Sequence, residues 1–416
     1  MSHNDFPADS PADFPFRISV AEAEELINGH MPRYKAEAVP LEDANGRVLA
    51  EDVIAERDQP PFDRATMDGI AVAAGTTATT RSLPIEGVQA AGADATALES
   101  TEACREIMTG AAMPDGADAV IPVERISIEN DSATISATVE EGYCCEAGQF
   151  VHRRASDHAK GDVLMRTGTR VRGPEMAALT AAGKAEVSVV RLPSIAVVST
   201  GDELVDVGEP ISDTQIRSSN DRAIQASLQQ HGFNRVNRSH IADDADALRD
   251  SLSALLDNHD VLVLSGGVSM GKFDYIPTVL AELGIEVIFH KITQRPGLPM
   301  WFGVSQTGQP VFALPGNPVS TLVCLTRYVI PALHHATGLA ANPESVTLDI
   351  PLQFEPPLTW FVPVTLSTEA GRTLATPKTT NTSGDFIALA NTDGFIELDA
   401  AESSFPAGQP ARLYRW

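Results

Sequence analysis

VLVLSGGVSMG, residues 261–271, is the stretch that decides the fold. Four apolar residues run unbroken from Val261 to Leu264, and then a serine and two glycines arrive together. A strand wetted on one face alternates apolar and polar; an unbroken run belongs to a strand buried on both faces. The same signature stands on either side, in IAVVSTGDEL at 195–204 and PVFALPGNPV at 310–319. Between and beyond these runs, 3.6-residue periodicity predicts helices over 220–230, 244–256, 275–283 and 319–333. Further strands are predicted near 235–241 and 286–290. Buried strands alternating with helices specify a doubly wound α/β domain over residues 191–342.

Outward from that core the period changes. Ser19-Val20-Ala21-Glu22 is a capping-box pattern that starts a helix, and Gly29 marks its expected stop. Residues 47–55 read as a strand or a short helix. From about 70 to 150, short β-type runs (119–123, 134–139) alternate with Gly, Asp and Thr turns, predicting a small β domain. Pro174 after Gly173 opens a predicted helix over 175–182. Beyond 343 the period is two again, predicting a C-terminal β-barrel or sandwich. Residues 1–15 lack a basic region and an apolar core, so they are expected to be a disordered tail rather than a signal peptide.

The composition excludes several classes. Fifty-six acidic residues against 30 basic ones leave a net charge of −26, the opposite of a broad nucleic-acid-binding surface. An anionic ligand therefore requires its cations to be gathered locally. No apolar stretch approaches the 20 or so residues of a membrane span. The four cysteines neither form a disulfide framework nor fall at zinc spacing, which points to a cytoplasmic protein.

In an open α/β sheet, ligands bind beyond the carboxyl ends of the strands. Three loops fall there: Ser199-Thr200-Gly201-Asp202-Glu203-Leu204, Ser265-Gly266-Gly267-Val268-Ser269-Met270-Gly271, and Leu314-Pro315-Gly316-Asn317-Pro318. The middle one lets backbone N–H groups approach a phosphate closely, yet it is not a Walker loop. Two roles are open to its acidic neighbours. Glu203 and Asp274 are placed either to hold a divalent cation or to cap the next helix. Asp243 and Asp244 directly precede a helix and read first as caps. Lys291 and Arg295, at a strand end, can neutralise an oxyanion or stand in solvent. Asp68-Gly69 and Thr109-Gly110 are compatible with ordinary turns or with a ligand approach.

The ordered set Met67-Asp68-Gly69-Ile70-Ala71, Met108-Thr109-Gly110-Ala111, Ser199–Leu204, Ser265–Gly271 with Asp274-Tyr275, and Leu314–Pro318 resembles the molybdopterin molybdenumtransferases, the MoeA/gephyrin E-domain family. The resemblance implies an elongated homodimer of four-domain subunits. One domain would combine 16–56 with 155–190, a β domain of 57–154 would be inserted in it, and 343–416 would form the C-terminal barrel. It implies that molybdate is inserted into adenylylated molybdopterin with release of AMP and with Mg2+ as the divalent ion. It further implies a molybdopterin adenylyltransferase and molybdoenzyme acceptors as partners. By motif, Asp68, Glu203, Asp274, Lys291 and Arg295 would be catalytic. Thr109, Asp157, Thr200, Gly201, Asp243, Ser265, Gly266, Gly267, Ser269, Gly271, Lys272, Pro315, Gly316, Asn317 and Pro318 would bind substrate, and Glu203, Asp243 and Asp274 would hold the metal. The chain departs from the pattern in places. Arg295-Pro296-Gly297-Leu298-Pro299 stands for the usual KPGKP, Lys272 replaces a commonly acidic residue, and Ala155 replaces a glycine. The loss of a cation at Leu298 keeps a weakened, cofactor-delivering protein as an alternative. Molybdopterin adenylylation is another, since that reaction uses a related α/β domain.

Overall fold

The computed structural model describes residues 15–136, 144–267, 275–340, 342–378 and 380–416. The chain forms two compact units. Among the described residues, one comprises 15–39, Gly46–Ala50 and those from Ser188 to Trp416; the other comprises Pro40–Asn45 and those from Glu51 to Val187.

The first unit is built on a seven-stranded sheet. Its parallel half runs Val236–Ile241, Ile195–Thr200, Val261–Ser265 and Pro310–Leu314 in spatial order. After Ile195–Thr200 the chain steps outward to Val236–Ile241, then crosses back to the other side for Val261–Ser265. The switch point therefore lies between the Ile195 and Val261 strands, where open sheets bind ligands. The unbroken apolar runs are explained by their two faces. Val197, Val263 and Phe312 pack with Ile224 and Leu228 on one side. Val198, Leu264 and Ala313 pack with Leu248, Leu252 and Val279 on the other. Each such side chain contributes roughly 1.5–3 kcal/mol of burial, an upper bound because denatured chains are already partly compact.

Several local expectations are met and others are corrected. Ser19 caps Val20–His30 with the full box, but Gly29 lies inside that helix, which ends in extended backbone at Met31. In place of a strand or helix over 47–55, only Val53–Ile54 is a strand. The single helix expected over 319–333 is three joined segments: Pro318–Cys324, a π-helical turn Leu325–Val329, and Ile330–Ala336. Trp301–Val304 is an antiparallel strand not foreseen, and Phe16–Ile18 adds a parallel edge strand beside Glu286–Ile292. The C-terminal region closes as a five-stranded barrel, because Thr359–Glu369 pairs with both Arg372–Pro377 and Gly394–Leu398. Gln294–Arg295 pairs in parallel with Thr359–Trp360, tying the loop that carries Arg295 to that barrel.

The second unit carries a six-stranded sheet in the order Ala119–Pro122, Gly69–Val72, Cys104–Ile107, Ser82–Gln89, Ser132–Ile135, Ile126–Glu129. Part of the expected 134–139 run lies outside the described residues. Gly69 is required where it stands: a Cβ there would sit 1.9 Å from the Ile121 carbonyl oxygen.

Candidate functional site

All three glycine-bearing loops of the α/β sheet end at one cavity of about 700 Å³. Thr200, Gly201, Glu203, Asp243, Ser265, Gly266, Gly267, Pro315, Gly316, Asn317 and Pro318 line it, as expected from the strand ends. The glycines are there because the backbone is crowded. Gly266 and Gly267 have φ of 101° and 65°, and a Cβ on Gly267 would lie 2.7 Å from Ile276 Cδ1. Asn220, read in the sequence only as a helix start, stitches the second and third loops together. Its Nδ2 donates to Ser265 Oγ (2.9 Å) and to the Gly316 carbonyl (2.8 Å).

Two hydroxyls at this cavity stand out. Ser199 is 1% exposed and Thr200 6%, and neither side-chain oxygen has a hydrogen-bond partner among the described residues. A buried hydroxyl without a partner costs roughly 1–3 kcal/mol, so a ligand that completes it recovers that cost.

The structure separates the acidic residues by role. Asp244 is the helix cap, accepting from Ala247 N at 2.8 Å, which leaves its neighbour Asp243 on the cavity wall. No helix follows Glu203; the next element is the short strand Leu204–Val205, so Glu203 caps nothing. Its carboxylate sits where a Cβ on Gly201 would be, 2.6 Å away. Asp274, Ser269, Gly271 and Lys272 lie outside the described residues. Among the described residues no three His, Cys, Asp or Glu side chains come together as a metal-binding group.

A second cavity of about 540 Å³ adjoins the first, sharing Pro299, Pro315 and Asn317 with it. It lies between the Gln294–Pro299 loop and the barrel. Arg295 lines it, and its guanidinium also rests over the Phe354 ring at 5.9 Å. Behind the loop stands a buried polar bracket. Tyr328, on the π-helical turn, donates its hydroxyl to Gln294 Oε1; Gln294 Nε2 donates to the Pro296 carbonyl (3.1 Å); Cys324 Sγ donates to the Gly297 carbonyl (3.6 Å). Burial raises the pKa of both Tyr328 and Cys324 well above their ordinary values, so both remain protonated donors. π-helical turns recur at functional sites, and here one aims Tyr328 at the loop.

Lys291 is placed differently from Arg295 and lines neither cavity. It has φ of 75°, and its Nζ lies 4.6 Å from the Phe16 ring centroid. Burial, with Arg17 nearby, lowers its pKa.

The remaining candidates belong to the second unit. Thr109 donates both its backbone N–H (2.6 Å) and its hydroxyl (2.9 Å) to Asp68 Oδ1, and these two bonds lower the Asp68 pKa. Asp157 pairs with His152 Nε2 at 2.9 Å, while His152 Nδ1 faces Arg64 at 3.2 Å. Arg64 can only donate, which fixes the ring with its proton on Nε2, toward Asp157. Neither Arg64 nor His152 carried a sequence signal.

Family models match the chain in three consecutive blocks: the MoeA N-terminal region (domain I and II) over 18–183, a probable molybdopterin binding domain over 196–335, and the MoeA C-terminal region (domain IV) over 345–416. A molybdopterin molybdenumtransferase of Synechocystis is 39% identical over 402 residues, covering 96% of this chain and all of the relative. One from Bacillus subtilis is 31% identical, covering 95% and 93%. A crystal structure of a molybdopterin biosynthesis MoeA protein from Pyrococcus horikoshii superposes with a TM-score of 0.80 at 31% identity, over 96% of this chain and 99% of that one.

Proposed function

The chain belongs to the MoeA family, and from that premise we propose that it transfers molybdenum to molybdopterin, a step in the synthesis of the molybdenum cofactor. In this reading the substrate is adenylylated molybdopterin, the metal arrives as molybdate, and AMP leaves. The observation that carries it is a pair of adjoining cavities of opposite character. The first offers the backbone N–H of Gly267 and two hydroxyls without a partner among the described residues, a cradle for phosphate oxygens, while the Gly266 N–H donates to the Leu314 carbonyl at 3.2 Å and holds the loop in place. The second presents Arg295 and, among the described residues, no carboxylate, which suits a tetrahedral oxyanion. Their shared wall at Pro299, Pro315 and Asn317 would let a dithiolene held in the first reach molybdate held in the second.

The donors at the first cavity are compatible with Mg2+. Glu203, Asp243 and the Thr200 hydroxyl supply only oxygen, and Mg2+ is commonly held by one or two carboxylates with substrate phosphates completing its shell. When bound, the ion would offset charge on the phosphoanhydride. Glu203 and Asp243 would hold it, Thr200 and the Gly267 N–H would orient the phosphates, and Arg295 would hold the incoming oxyanion. Asp68 with Thr109, and Asp157 with His152, are assigned to the same reaction, supplied from a second copy in a homodimer. No described helix is long and apolar enough to cross a membrane, and the reading places the enzyme in the cytoplasm. The test is AMP release by the purified full chain. Release that depends on both molybdate and Mg2+ is expected; no release under conditions where a homologue turns over refutes it.

A further inference from the structure

We propose that Lys378 supplies the second positive charge of the Arg295 cavity and so sets its affinity for a dianionic oxyanion. The inference rests on the reading of that cavity as the molybdate subsite.

At the chain's overall share of Asp and Glu, a wall of this size would carry about three carboxylates; among the described residues this one carries none. It does carry two cations, Arg295 from the α/β side and Lys378 from the barrel side. The chain has only six lysines in 416 residues, so one at this place is not a sprinkling of surface charge. Among the described residues neither cation has an ion pair with a carboxylate. Other arginines are neutralised by carboxylates, among them Arg191 by Asp260, Arg249 by Asp246 and Glu282, and Arg327 by Glu24 and Glu397.

Two cations in a cleft whose walls mix apolar and uncharged polar side chains focus a local positive field on a chain of net charge −26. Their chemistries divide the work. Arg295 offers a planar fork for two oxygens, and Lys378 offers a compact point charge with three rotatable donors for the others. Leu298, on the same loop as Arg295, is uncharged, and Lys378 stands on the opposite wall. The Lys378 backbone is fixed there, its N–H bonding the Pro363 carbonyl at 2.8 Å. The side chain itself is exposed, as expected for a group that meets its partner only when the ligand arrives.

The test is a molybdate titration of the purified full chain, read both as AMP release and as equilibrium dialysis of molybdate alone. Lys378→Ala is expected to raise the half-saturating molybdate concentration and the Kd about tenfold, the lower end for loss of one charged hydrogen bond. Lys378→Arg restores both to within about twofold, and added salt weakens the unaltered protein more than Lys378→Ala. Lys35→Ala, which alters a lysine outside both cavities, controls for overall charge. Unchanged binding in Lys378→Ala beside weakened binding in Arg295→Ala overturns the inference and spares the cavity reading. Unchanged binding in Arg295→Ala overturns the cavity reading itself. Failure of Lys378→Arg to restore binding, or an equal effect of Lys35→Ala, also overturns the inference, since charge at this position would then not be the cause.

Discussion

Thr200→Val separates a hydroxyl kept for a ligand from one kept for the fold, because the two roles predict opposite signs. Thr200 is 6% exposed and its Oγ1 has no partner among the described residues, so the ligand-free protein bears the cost of an unsatisfied buried hydroxyl. Valine keeps the branched shape of the terminal strand residue and removes that cost. About 1 kcal/mol of relief is expected, which in a unit of this size raises Tm by about 2 °C. With substrate the sign reverses. A hydrogen bond to an anionic phosphate contributes roughly 1.5–3 kcal/mol, so losing it lowers kcat/KM about 10- to 150-fold. Differential scanning calorimetry of the ligand-free protein and the initial rate of AMP release give the two halves. A lower Tm in the variant would show that the hydroxyl supports the fold, and an unchanged kcat/KM would remove it from the site.

Other substitutions test the assignments around it. Asp244→Ala should cost about 1 kcal/mol of stability as a lost helix cap and leave turnover largely intact. Asp243→Asn should do the reverse, a contrast read by denaturant melts beside AMP-release rates. Tyr328→Phe removes the donor behind Gln294, so the molybdate KM should rise several-fold with a smaller change in kcat; an unaltered KM would show that the bracket does not position Arg295. Asp260 tests pH. The Arg191 guanidinium holds its folded-state pKa far below the ordinary carboxylate value, against the opposing effect of burial. Its stabilising contribution is therefore present above about pH 4, the unfolded pKa, and fades as pH falls further. Asp260→Asn should flatten that acid limb, measured by thermal melts between pH 2 and 6.

What the sequence revealed, and what it hid, follows from the range over which each signal acts. The parallel strands were legible because two-sided burial removes every polar residue from Val261–Leu264 and from Ile195–Val198. The cavity was legible because strand ends and glycines coincide. Trp301–Val304 went unread because it starts only one residue after Pro296-Gly297-Leu298-Pro299, whose loop signals mask the start of a strand. Phe16–Ile18 is three residues long with two of them exposed, too short to show a period. The π-helical turn has helical neighbours on both sides, so nothing in the composition marks the extra residue that turns Tyr328 toward Gln294. Barrel and sandwich were indistinguishable because closure depends on Trp360 meeting Leu398, a pairing that no local pattern encodes. Asp243 and Asp244 are adjacent and chemically identical; only helix geometry decides which of them caps. Lys291 stayed open between an oxyanion and solvent because the ring it approaches, Phe16, is remote in sequence.

The most direct measurement of the central claim is a crystal structure of the protein with adenylylated molybdopterin bound. Pyrophosphate oxygens are expected within hydrogen-bond distance of the Gly267 N–H and the Thr200 hydroxyl, with the pterin side turned toward Pro315 and the Arg295 cavity. Ligand bound away from the carboxyl ends of the Ile195 and Val261 strands would contradict it.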